Sequence, residues 1–157
     1  MHRSGFVTII GNPNVGKSTL INNLLGEKIS IITPKAQTTR HRLLGILSHK
    51  DYQIVFSDTP GIITPKYKLQ DAMMGCVKES LDDSDLIIYM VDSNKDQLED
   101  ENIQKTLNQL DENFLILINK IDLASQEEVI SLIDFWKKKF PNCAIFPISA
   151  INKYNLD

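Results

Sequence analysis

Residues 11–18 constrain the fold most, because they join a strand-like segment to a helix-like one through two glycines. Their sequence is Gly11-Asn12-Pro13-Asn14-Val15-Gly16-Lys17-Ser18. The run 6–10 before them is apolar and β-branched, and the helical face after them carries Leu20, Ile21, Leu24 and Leu25. A glycine turn that opens a helix aims backbone N–H groups at an anion. The stretch therefore fits the G-x-x-x-x-G-K-[ST] phosphate-binding loop.

The side chains of this loop suggest a nucleotide with a metal ion. Lys17 can reach the β- and γ-phosphates, and Ser18 offers a hydroxyl to Mg²⁺, which prefers oxygen ligands and bridges phosphates. The predicted nucleotide contacts of the loop and of the following helix start are Asn12, Pro13, Asn14, Val15, Gly16, Lys17, Ser18 and Thr19.

Length and composition limit the class of protein. A chain of 157 residues suits one domain, and 42% hydrophobic with 24% charged residues is ordinary globular composition. A net charge of −3 gives no overall attraction to nucleic acid or membrane. Cys76 and Cys143 are too few for a disulfide framework, which fits a reducing cytoplasm. No apolar run approaches the roughly 20 residues of a membrane span.

Strand-like and helix-like segments alternate beyond the loop. We expect strands at 42–47, 52–57, 86–91, 114–118 and 144–148, and helices at 69–81, 99–110 and 126–140. A short polar turn joins the first two of these strands, so they should form a hairpin at one sheet edge. The pattern predicts a doubly wound α/β fold with a mostly parallel six-stranded sheet, one antiparallel edge strand, and ligand loops at the strand carboxyl ends.

Two further motifs and a dipeptide follow predicted strands. In Asp58-Thr59-Pro60-Gly61, the carboxylate can hold Mg²⁺ through water, and the Gly61 N–H can meet a γ-phosphate. After a later strand, Asp122 can accept hydrogen bonds from guanine N1–H and N2–H₂, a donor pair that adenine lacks. The other predicted base contacts are Asn119, Lys120 through its methylene stem, and Ser149 and Ala150, where a backbone N–H can approach guanine O6.

These motifs, in this order, resemble the Ras-like guanine-nucleotide-binding domain of translation-factor-class GTPases, a P-loop NTPase G domain. Residues 11–20, 58–61 and the run Gln37-Thr38-Thr39-Arg40-His41-Arg42 resemble more narrowly the Era family of bacterial GTPases. The resemblance covers essentially the whole chain as a single G domain, residues 1–157. It implies a molecular switch that binds GTP or GDP with Mg²⁺ and hydrolyses GTP.

The resemblance also implies roles for individual residues. Thr39 would be the switch threonine that ligates Mg²⁺ and meets the γ-phosphate. Ile62 stands where Ras-like enzymes place a water-orienting glutamine, so hydrolysis would need other help. Asn14 matches an asparagine that holds K⁺ against the phosphates in related enzymes, and Arg40 and Arg42 are the rival source of positive charge. The implied catalytic residues are Lys17, Thr39, Gly61 and Asn14, and the implied metal ligands are Ser18, Thr39, Asp58 and, for K⁺, Asn14.

Partners follow from the resemblance only for an intact protein. Family members carry a C-terminal KH domain that binds the 3′ end of 16S rRNA, which implies a role in small ribosomal subunit maturation. The sequence stops at Asp157, before that domain and before the expected final helix. Cytoplasmic location and peripheral association with the membrane are implied on the same basis.

Three other functions stay open from the sequence. A binding module that holds guanine nucleotide with negligible turnover is compatible with the apolar Ile62. An ATP-using P-loop kinase or ATPase is disfavoured by Asp122. Double-domain ribosome-assembly GTPases and the tRNA-modifying GTPase share Asn14 and an apolar residue at position 62.

Overall fold

Six strands form one sheet in a computed structural model that describes residues 2–28, 42–93, 105, 107–108, 110 and 114–156. Their order across the sheet is β2-β3-β1-β4-β5-β6. The strands are β1 (Arg3–Gly11), β2 (Leu43–Ser48), β3 (Tyr52–Asp58), β4 (Leu86–Asp92), β5 (Phe114–Asn119) and β6 (Ala144–Pro147).

Helices connect the strands and cover both faces of the sheet. They are α1 (Lys17–Leu25), α2 (Lys68–Asp82) and α3 (Gln126–Lys139), with a 3₁₀ turn at Ile121–Leu123. Residues 105, 107 and 108 are helical, and most of the helix predicted at 99–110 lies outside the described residues. Among the described residues, none of the helices is long and apolar enough to cross a bilayer.

The sheet confirms the predicted fold class. β2 pairs antiparallel with β3 at one edge, with Leu43 opposite Asp58, and the other strand pairs are parallel. Because these strands run in the same direction, their carboxyl ends lie at a common edge of the sheet, where such folds bind ligands. Most predicted boundaries agree to within one residue, although β1 begins three residues earlier than the apolar run 6–10 suggested.

Two hydrophobic clusters hold the helices against the sheet. One lies beside α1 and contains Ile9, Leu20 and Phe56, and the other includes Ile10, Tyr89 and Trp136. Residues 87–92 of β4 are buried without a break, as expected for a central parallel strand covered on both faces.

The buried face of α3 is narrow. Its buried residues are Leu132 and Trp136. Ile133 and Phe140 pack at the margin of the cluster. The helix axis therefore sits so that positions 132 and 136, one turn apart, meet the sheet.

Candidate nucleotide-binding site

The predicted motifs meet at one edge of the sheet. Gly11 ends β1, Asp58 ends β3 and Asn119 ends β5, and these three strands run in the same direction. Side-chain hydrogen bonds then join the loops that follow them. Motifs separated by more than a hundred residues in the sequence are thereby parts of one site.

The loop 11–18 depends on three residues with positive φ. Gly11 has φ of 154°, Asn14 of 62° and Gly16 of 109°. Val15 is completely buried, which anchors the middle of the loop in the core beside α1. Gly16 is the N-cap of α1, so this position has no side chain that could compete with an anion for the first backbone N–H groups of the helix.

Lys17 is buried within this loop. Its Nζ donates hydrogen bonds to Gly11 O at 3.2 Å and Asn12 O at 2.9 Å, and the residue is 7% exposed. Burial lowers the pKa of Lys17 from 10.5 to about 8, although the negative charge of Asp58 partly offsets the shift. Burial has therefore removed most of the water around the ammonium. A phosphate placed beside Lys17 would supply a negative charge that compensates for the lost hydration.

Ser18 and Asp58 form the predicted Mg²⁺ end of the site. Ser18 Oγ donates a hydrogen bond of 2.7 Å to Asp58 Oδ2, and Asp58 is 1% exposed. Within the described ranges, no group of three His, Cys, Asp or Glu side chains could hold a metal by itself. One hydroxyl and one carboxylate fit Mg²⁺, which takes few protein ligands when phosphates complete its shell. Thr39, the other predicted ligand, lies outside the described residues.

Gly61 packs directly against the phosphate loop. A Cβ added at Gly61 would lie 2.6 Å from Pro13 N, so only glycine fits this approach. The next residue, Ile62, donates its N–H to Gly11 O at 2.9 Å. Ile62 is 6% exposed and belongs to the buried cluster that contains Ile10, so its side chain offers nothing polar to water. The predicted contact of Gly61 with a γ-phosphate stays a prediction.

Asn119 joins the phosphate loop to the base-side loop. Its Nδ2 donates to Val15 O at 2.7 Å, and its Oδ1 accepts the Ala150 N–H at 2.9 Å. Asn119 is 2% exposed, so the sheet holds this link in place. The Ala150 N–H expected to approach guanine O6 is thus already hydrogen-bonded, and a guanine would share or replace that bond.

The predicted base-reading carboxylate lies beside the last loop. Asp122 Oδ1 accepts a hydrogen bond of 2.5 Å from Ser149 Oγ. Asp122 itself is exposed, whereas Ser149 is 1% exposed. The serine therefore orients a carboxylate that remains accessible to a base, a contact that the sequence did not predict.

Two residues at this edge were not predicted from the sequence. Asp92 Oδ2 lies 3.1 Å from Lys120 Nζ, and Asn23 Nδ2 donates to Ala150 O. Asp92 ends β4, so the rule that placed the other motifs after strands could have found it. Asn23 lies on α1, 127 positions from its partner, and carries no such signal.

Three other predicted residues occupy different positions around the site. Thr19 is partly exposed in the first turn of α1, and Asn14 is exposed on the loop. Arg42 donates to Ser57 Oγ at 3.0 Å and pairs with Asp83 at 2.8 Å, beyond the end of α2. In this conformation, therefore, the Arg42 guanidinium is bound to other side chains. Arg40 lies outside the described residues.

Comparison with known proteins gives the family. Residues 6–120 match the model of the 50S ribosome-binding GTPase family. GTPase Era of Clostridium beijerinckii is 43% identical over the whole chain, which covers 53% of that protein. The chain thus spans about half the length of the curated relative that it matches.

Two solved structures give the same result in three dimensions. Era in complex with MgGDPNP and nucleotides 1506–1542 of 16S ribosomal RNA has a TM-score of 0.92 and 44% identity, covering 100% of this chain and 54% of that one. A variant of Aquifex aeolicus Era bound to GDP·AlF₄⁻ has a TM-score of 0.88 and 44% identity, covering 98% and 54%. Both relatives were solved with a guanine nucleotide in place. This chain belongs to the 50S ribosome-binding GTPase family and resembles Era over its entire length.

Proposed function

We propose that residues 1–157 form a single G domain that binds GTP or GDP with Mg²⁺ and hydrolyses GTP as a molecular switch. The observation that carries the proposal is the link made by Asn119, which holds the phosphate loop at Val15 and the base-side loop at Ala150. One buried side chain would thereby fix the distance between the proposed phosphate site and the proposed guanine-reading site.

The phosphate end would hold the negative charge of the nucleotide. Lys17, already desolvated, would pair with the β- and γ-phosphates, together with the amino end of α1. Ser18 and Asp58 would hold Mg²⁺, Asp58 through water, and the metal would neutralise charge on the phosphate oxygens. At the other end, Asp122 would accept the guanine N1–H and N2–H₂ and exclude adenine.

Hydrolysis needs a water molecule to attack the γ-phosphorus while the bond to the β–γ bridging oxygen breaks. Ile62 is buried and cannot orient that water. We propose that Asn14 would hold K⁺, whose positive charge would neutralise charge that develops on the bridging oxygen. The support is the placement of Asn14, exposed at the loop with its backbone at positive φ, while Arg42 is engaged by Asp83.

Single-turnover phosphate release tests the proposed activity. We expect a slow release of phosphate from GTP that requires Mg²⁺ and is lost in Lys17→Ala. We also expect the wild type to bind GDP in a way that excess ATP does not reverse. GDP binding with no release above the uncatalysed rate would favour the binding module. Displacement of GDP by equimolar ATP would favour the ATP-using class.

A salt comparison tests the role of potassium. Turnover should rise when K⁺ replaces Na⁺ at constant ionic strength, and Asn14→Ala should lose that rise while GDP binding survives. Equal rates in the two salts would exclude a role for K⁺ in hydrolysis. The positive charge at the phosphates would then have to come from Arg40, Arg42 or a partner acting in trans.

We also propose that the protein containing this domain binds 16S rRNA and acts on the small ribosomal subunit in the cytoplasm. The support is the relative solved with nucleotides of 16S rRNA. The isolated chain is acidic overall and should bind that RNA far more weakly than a full-length protein with a KH segment. Equal RNA affinity of this chain and of the full-length protein would refute the proposal that the KH segment binds the RNA. Peripheral association with the membrane stays a prediction for the full-length protein.

A further inference from the structure

Lys120 is held at both ends by the two residues that finish β4 and follow it. Its Nζ lies 3.1 Å from Asp92 Oδ2, and its carbonyl oxygen accepts a hydrogen bond of 3.2 Å from Ser93 Oγ. Neither Asp92 nor Ser93 belongs to the phosphate loop or to the guanine-reading motif. Both residues contact Lys120, so they can act on the base through that lysine.

We infer that Asp92 is a positioning residue for binding of the guanine base, a role that rests on the proposed nucleotide site. Asp92 is the last residue of β4, pairs in the sheet with Asn119 and is 7% exposed. Its carboxylate is thus fixed relative to the same strand end that carries the base-side motif. The Asp92 carboxylate fixes the end of a lysine side chain that would otherwise be flexible.

The lysine needs such support for two reasons. Lys120 adopts φ of 62°, an uncommon backbone conformation for a residue with a side chain. Ser93 stabilises this conformation by donating a hydrogen bond to the Lys120 carbonyl oxygen. Its side chain is 33% exposed, so without Asp92 the ammonium would turn toward water and take the stem with it.

The proposed effect is pre-ordering of the surface on which the base rests. Asp122, two residues after Lys120, reads the edge of the guanine, whereas the methylene stem of Lys120 covers its plane. Immobilising a long side chain costs binding free energy, and a stem already held by Asp92 avoids that cost. Loss of the carboxylate should weaken GDP binding by about three- to tenfold.

A double-mutant cycle separates positioning from a purely structural role. GDP affinity is measured by calorimetry for the wild type, Asp92→Asn, Lys120→Met and the double variant. Asp92→Asn should bind GDP about three- to tenfold more weakly, but should cause no further loss in Lys120→Met, because methionine keeps a stem without the ammonium. An equal loss in both backgrounds would overturn the inference.

The type of base gives a second readout. Hypoxanthine lacks the N2 amine that Asp122 would read, so IDP should bind more weakly than GDP. Asp92→Asn should weaken GDP and IDP by the same factor, because the stem contacts the base plane. A changed GDP-to-IDP ratio would show that Asp92 acts on the base edge and would contradict this role.

Two control variants separate an effect on GDP affinity from an effect on folding. Asp85→Asn makes the same chemical change at the opposite end of β4, where Asp85 Oδ2 accepts the Phe6 N–H at 2.7 Å, and should bind GDP like the wild type. Asp92→Glu keeps the charge and should recover part of the affinity, even if Asp92→Asn folds poorly. No GDP binding by the wild type would overturn the proposed function itself. Wild-type binding with unchanged affinity in Asp92→Asn would overturn only the role of Asp92.

Discussion

Replacing Lys17 by methionine should make the nucleotide-free domain more stable while removing its ability to bind nucleotide. The lysine is buried, and its pKa falls from 10.5 to about 8 because burial penalises the charged form. A shift of this size corresponds to roughly 3 kcal/mol of unfavourable free energy in the folded state at neutral pH. Methionine has a similar length and carries no charge.

The expected gain is smaller than this full penalty. Lys17 donates hydrogen bonds to Gly11 O and Asn12 O, and both acceptors lose a donor in Lys17→Met. Allowing about 1–2 kcal/mol for these bonds leaves a net stabilisation of roughly 1–2 kcal/mol. For a domain of this size, the melting temperature should rise by about 2–8 °C.

Thermal unfolding with and without GDP and Mg²⁺ measures both effects. Wild-type protein at a thousandfold excess of GDP over its Kd should gain about 4 kcal/mol, whereas Lys17→Met should gain nothing. The matched control is Lys78→Met, on the exposed face of α2, which should leave both melting temperatures unchanged. A variant less stable than wild type that still responds to GDP would refute the reasoning.

The pH dependence should have opposite signs for stability and for affinity. The folded-state pKa of Lys17 lies below the unfolded value, so the unfolded chain binds more protons between pH 8 and 10.5. The penalty is therefore complete below pH 8 and is relieved as pH rises, which stabilises the nucleotide-free domain relative to Lys17→Met. GDP affinity should fall instead, by roughly tenfold at pH 9, because the lysine must be protonated to pair with phosphate.

Three other substitutions probe the rest of the site. Asp122→Asn should shift preference from GDP toward XDP in competition binding, since an amide can donate to the xanthine oxygen; retained preference for GDP would show that Asp122 does not read the base. Ser18→Ala should abolish the dependence of GDP affinity on Mg²⁺ in titrations with and without EDTA, and an unchanged dependence would remove Ser18 from the metal site. Gly61→Ala should destabilise the domain by about 1–3 kcal/mol in urea unfolding, because its Cβ would lie 2.6 Å from Pro13 N. Wild-type stability of Gly61→Ala would mean that the loop at Gly61 and the loop at Pro13 separate easily.

Local sequence patterns determined the elements of this protein and the chemistry of its loops. Glycines at 11 and 16, with Lys17 and Ser18, specify a strand, a turn with positive φ and a helix, because backbone sterics act over neighbouring residues. The alternation of apolar runs predicted the six-stranded, mostly parallel sheet with its antiparallel edge, and the observed strand order confirms it. Asp58, Asn119 and Asp122 were found because they follow such runs.

Tertiary structure alone decided how these loops act on one another. Asn119 reaches Val15 across 104 positions, and Lys120 reaches Asp92 across 28, so both contacts depend on which strands become neighbours. Strand order and helix placement likewise decided that Ile62 enters the core and that Arg42 pairs with Asp83. These outcomes come from packing of the whole sheet and its helices, whose balance of burial and hydrogen bonding is not encoded in a window of a few residues.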